Sequence, residues 1–170
     1  NTIEELRTLN LDSMQRTFRI LKEMPDNVLA EALQSMHPNG IAQSKSRKGM
    51  FIRLMARFDL EEAKKASGVL ENEEDRIKEL LGVIHERIMR GDLMVAVREL
   101  TALYLDFALR PQQKDLQSSF AFVFKEILEK AEQCDNLGTF ASVLLTLRAA
   151  ESDQTLDGVV KQLAVLLIKK

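Results

Sequence analysis

Residues 92–109 read DLMVAVRELTALYLDFAL, the most densely apolar stretch of the chain, and its periodicity decides the fold class. Leu93, Ala96, Val97, Leu100, Leu103, Tyr104 and Phe107 recur at i, i+3, i+4 and i+7, the spacing that lines one face of an α-helix. Val95, Ala102, Leu105 and Leu109 widen that face, while Arg98, Glu99, Thr101 and Asp106 are too few to solvate the other half. The stretch predicts a central helix around which the others pack. Ala96, a small residue on the stripe, is expected at a close helix crossing, and Glu99, at the stripe's edge, is expected to matter little. Gly91 ends the preceding helix, Asp92 caps the new one by accepting from a free backbone N–H, and Arg110 with Pro111 closes it.

Composition points the same way. The chain has 170 residues, 45% of them hydrophobic, which is enough for the core of one compact domain over residues 1–170. Only seven glycines and three prolines interrupt a list dominated by helix formers, so the class is all-α. A single cysteine, Cys134, cannot form an internal disulfide, and a buried or inert thiol in a reduced, cytoplasmic setting is the expectation. No apolar run reaches the roughly 18 residues of a membrane span. The opening NTIEELRTLN has no signal-peptide layout, and a start at Asn rather than Met leads us to expect a domain excised from a longer chain.

Taken in order, the chain divides into helices joined by short turns. Thr2 and Glu5 have capping-box spacing for a short helix to Leu9, and Asp12 precedes a helix with Met14, Phe18 and Leu21 on one stripe, stopped at Pro25. Asp26 opens the next, with Val28 or Leu29, Ala32, Leu33 and Met36 facing inward, and HPNG marks a loop. Residues 41–58 carry Met50, Phe51, Leu54, Met55 and Phe58, with Gly49 weakening the first half. Asp59 and Asn72 start two further helices. Beyond Pro111, the positions Leu116, Phe120, Phe124, Ile127, Leu128 and Ala131 form a stripe. After a cap at Asn136 so do Leu137, Phe140, Leu144 and Leu147. Eight or nine helices packed as antiparallel hairpins follow, in an irregular α-solenoid or a helical bundle.

Asp26, Asp59 and Asp92 lie 33 positions apart, each followed four residues later by alanine (Ala30, Ala63, Ala96), with Phe18, Phe51 and Ile84 at a matching upstream position. FDLEEAKKASGVL and GDLMVAVRELTAL resemble the second helix of a tetratricopeptide repeat, over residues 13–109. The resemblance implies stacked helical hairpins. The chain departs from that family in its spacing of 33 instead of 34, in Ile84 where the family has a small glycine, and in its proline positions.

Residues able to carry chemistry are sparse. His37 lies in a turn signal, and His85 begins HERIM, where Met89 replaces the second histidine of a zinc motif. Glu61, Glu62, Glu73 and Glu74 sit at helix starts, where the dipole accounts for them. No catalytic, metal or cofactor residue is assigned. From Ala32 to Phe58 there are no acids but five bases, Lys45, Arg47, Lys48, Arg53 and Arg57, a candidate anion-binding strip in which Ser44 and Ser46 are candidate phosphorylation positions. Phe51 and Phe58 fit the core stripe, so internal charge complementarity accounts for the strip more simply.

The last helix carries Val159, Val160, Leu163, Ala164, Val165, Leu166, Leu167 and Ile168 and requires cover, from the central helix or from a second copy. Met50, Met55, Met89 and Met94 lie at stripe positions that suit core filling. The expected function is a noncatalytic module that binds another protein, as a peptide or helix, with nucleic-acid binding through the basic strip as the alternative.

Overall fold

The structure is a computed structural model that describes residues 23–34, 40–44, 46–57, 59–108, 114–134, 137–150 and 156–169. Those residues form eight α-helices and no strand: α1 (Asp26–Gln34), α2 (Arg47–Met55), α3 (Leu60–Gly68), α4 (Glu73–Met89), α5 (Leu93–Ala108), α6 (Lys114–Gln133), α7 (Leu137–Ala150) and α8 (Asp157–Ile168). The fold is all-α. The helices expected before Pro25, the stop at Arg110 and Pro111, and the cap at Asn136 lie outside the described residues. Backbone contacts group the chain into two compact units, one of residues 1–39 and 43–83, the other of residues 40–42 and 84–170.

In the first unit the helix starts are set by local side chains. Ser46 accepts from the backbone N–H of Gly49, Asp59 from that of Glu62 and Asn72 from that of Asp75, each satisfying a donor the helix leaves free. α2 contacts α1 and α3. Ile52, Ala56, Ala63 and Val83 form an apolar cluster, flanked by half-buried Met55, Leu60, Ala66 and Leu70. The helix leaves out the first part of residues 41–58, as the weakened first half led us to expect, but its inward face differs: it is Ile52, Arg53 and Leu54, with Met50 and Phe51 half-buried.

The second unit is built on α6, which packs against α5, α7 and α8. This corrects the expectation that α5 is central. Leu93, Ala96, Leu100, Tyr104 and Phe107 are buried as the stripe requires, but Ala102 and Leu105 face solvent, so α5 is covered on one side. The buried stripe of α6, Leu116, Phe120, Phe124, Ile127, Leu128 and Ala131, follows the periodicity, with Val123 added. So does that of α7, Leu137, Phe140, Leu144 and Leu147. Between α4 and α5 the turn is a Schellman motif: Gly91 N donates to Ile88 O and Asp92 N to Arg87 O, at 3.0 Å each. It needs the positive φ of 85° that Gly91 adopts without a Cβ penalty. Met89 and Met94, on either side of this turn, are more than half exposed and fill no core.

Glu99 also differs from its expected dispensable place. Its carboxylate pairs with the buried Arg87 guanidinium, which also lies 3.7 Å from Asp92 Oδ2. Residues 40–42 pack on α6: Ile41 is buried, Ala42 N donates to Ser119 Oγ at 2.9 Å, and a side chain at Gly40 would collide with the Phe122 ring. α8 buries Val159, Leu163 and Leu166 against α6 and α7, rather than against α5, and leaves Val165, Leu167 and Ile168 exposed.

Candidate binding cleft

The core of the second unit explains why a cleft forms in it. Tyr104 of α5 meets Phe120 and Phe124 of α6 edge-on, with ring centroids at 5.2 and 5.5 Å, and Phe107 packs on Phe120 at 4.8 Å. These large, rigid rings set the spacing of α5 and α6 at one level of the interface. Two turns before Tyr104, Val97 leaves a gap between α5, α6 and α7. The gap is a shallow cleft, open to solvent and lined by Val97, Phe124, Ile127, Leu128, Phe140, Val143 and Leu144. Every lining side chain is apolar, and Val97 and Val143 are only half-buried, so they form its rim. Such a wall offers dispersion contact and water release to an apolar group. It offers no polar group to position a reacting atom.

Periodicity had placed all but one of these residues on buried stripes, yet nothing in the sequence joined them into one cavity. Val143 was not singled out at all. The signal for it is its position, one turn after Phe140 and next to Leu144, which is one step off the stripe and hence at its border.

The five bases of the expected strip are dispersed in the described structure. Arg47 Nη1 donates to Asp26 Oδ1 at 2.8 Å, and its guanidinium lies 5.3 Å from the Phe51 ring centroid. Lys48 and Arg57 are exposed, and Lys45 lies outside the described residues. Arg53 faces inward. Its Nε and Nη2 lie 2.9 and 2.7 Å from Glu79 Oε1, and Nη2 also donates to Lys78 O at 3.3 Å. The neighbouring Lys78 is buried as well, with Nζ 2.9 Å from Glu74 Oε1.

The charged core of α2 and α4 depends on two glycines. A Cβ on Gly49 of α2 would fall 2.4 Å from Glu79 Oε2, and one on Gly82 of α4 would fall 2.8 Å from Arg53 Nε. Each helix thus offers a bare backbone to the other's charge. The pattern was present in the sequence, with Gly49 one turn before Arg53 and Gly82 one turn after Glu79, but its partners are 26 residues apart and of ordinary surface type.

His85 stacks on Phe122 at 5.7 Å, which gives it a packing role, and His37 lies outside the described residues. Cys134 is exposed, so of the expected buried or inert thiol the buried alternative falls. Among the described residues no group of three His, Cys, Asp or Glu side chains could hold a metal ion, and no helix is long and apolar enough to cross a membrane. Compared with protein families, curated proteins and solved structures, the chain matches none of them.

Proposed function

We propose that this chain is a noncatalytic protein-interaction module whose second unit receives an apolar side chain from a partner helix or peptide. The observation that carries the reading is the cleft between α5, α6 and α7, walled by seven apolar side chains and open at Val97 and Val143. The cleft takes a methyl-sized tip, worth about 0.8 kcal/mol per buried carbon, and the rest of a partner's apolar side chain lies across the rim of Val97 and Val143, as one anchor within a larger contact. Met94, one turn before Val97 and largely exposed, extends the apolar surface past the rim with a side chain that adapts to different partners.

The test is a display library of amphipathic helical peptides selected against the full chain, followed by Val143→Arg and, as a control away from the lining, Leu145→Arg. Val143→Arg is expected to weaken the selected peptides by roughly ten- to a hundredfold, the equivalent of one lost anchor, with Leu145→Arg binding as the parent does. Selected peptides that bind both variants equally would place recognition elsewhere. RNA and DNA binding at two salt concentrations serves the alternative, since a phosphate contact would show itself as a steep salt dependence that Val143→Arg does not reduce.

A further inference from the structure

The buried carboxyl of Glu79 is occupied on one side only. Its side chain is 1% exposed, and Oε1 accepts from Arg53 Nε at 2.9 Å and Ser44 Oγ at 2.8 Å, with Arg53 Nη2 at 2.7 Å. Oε2 is equally buried, has no hydrogen-bond partner, and faces the bare backbone of Gly49. A carboxylate shares its charge between both oxygens, so part of that charge lies out of reach of bulk solvent and of any protein donor. A neutral acid fits the same atoms differently. Oε1 becomes the carbonyl oxygen and keeps all its donors, while the proton occupies Oε2, the one atom that takes none.

We infer that Glu79 is a proton-binding site, with Oε2 as the atom that takes the proton, and that proton uptake there as the pH falls tightens the packing of α2 on α4. The groups acting on it come from three places. Arg53 on α2 opposes the proton; Ser44, in the segment before α2, opposes it through its hydrogen bond; Asp75, on α4 itself, favours it. Lys78 and Glu74 on α4 form their own pair, and Ser46 Oγ beside Gly49 is engaged by the Gly49 N–H. Burial outweighs the pull of Arg53 and holds the carboxyl above the ordinary glutamate value. Because the folded value then lies above the unfolded one, folding takes up a proton between the two. The stability from this group is fully present below the unfolded value and is lost as pH rises through the folded one.

The experiment is a carboxyl-carbon NMR titration of the ¹³C-glutamate-labelled full chain, with Glu79 assigned by Glu79→Gln, alongside amide exchange of α2 corrected for intrinsic rates. The Glu79 midpoint is expected above those of the exposed glutamates, each unit of separation being a tenfold gain in proton affinity. α2 protection is expected to fall as pH rises through that midpoint, and to stay level in Glu79→Gln. Should Glu79→Gln not fold, Ser44→Ala decides: losing a donor that favours the charged form, it moves the midpoint further up. A Glu79 midpoint at or below those of exposed glutamates, or one that Ser44→Ala leaves in place or lowers, overturns the inference.

Discussion

The two units bury their helices with different chemistry. In the second, Tyr104, Phe107, Phe120 and Phe124 interlock, and the helices meet through rings and aliphatic side chains. In the first, α2 and α4 meet through Arg53 and Glu79, each charge seated where the other helix has a glycine. An apolar interface tolerates changes of partner so long as volume is conserved, whereas a buried ion pair needs its one partner of opposite charge, close backbones and donors for the remaining lone pairs. The second unit should therefore fail gradually under substitution, and the first should fail when the Arg53 side chain is removed while Glu79 stays in place.

The largest expected effects test that contrast directly. Phe120→Ala, at a fully buried ring, is expected to cost about 3–5 kcal/mol in urea melts through the cavity it leaves. Arg53→Ala is expected to cost a similar ~3–5 kcal/mol where the pH keeps Glu79 ionised, because a buried charge is then left without its cation, and less where Glu79 holds its proton. The two losses separate on adding a second change. Arg53→Met with Glu79→Leu is expected to recover stability to about the parent level or exceed it by ~1–4 kcal/mol, since the desolvation of both charges is removed together. A double variant as unstable as Arg53→Ala would show that the pair is worth more than apolar contact, and the contrast between the units would fall.

Smaller effects sharpen it. Ala96→Leu, at a residue with no exposed surface, is expected to overpack the α5 stripe and cost roughly 1–3 kcal/mol, while Ala30→Leu, at an exposed position of α1, is expected to stay within about 0.5 kcal/mol. Equal effects at the two sites would mean that the 33-residue spacing places them equivalently. Asp59→Ala is expected to cost about 1 kcal/mol by freeing the Glu62 N–H, a loss that thermal melts would detect in the first unit.

The helical class, most helix starts and the inward faces of α6 and α7 were determined by the sequence alone. Each depends on residues within one or two turns of one another: Asp59 and Asn72 cap three residues ahead, Gly91 adopts its positive φ in place, and the leucines and phenylalanines of α6 mark a face by their spacing. Which helix of the second unit is central was decided only in three dimensions. Hydrophobic density ranks helices by composition, but the number of neighbours depends on how many faces others reach, and α6 is met by three helices while Ala102 and Leu105 of α5 stay exposed. The cleft belongs to the tertiary structure for the same reason, since an empty volume is a property of three surfaces and of no single stripe. So does the fate of the basic strip. Local sequence shows that Arg53 carries a charge, but only the approach of α4, 26 residues later, turns that charge from a surface group into half of a buried pair.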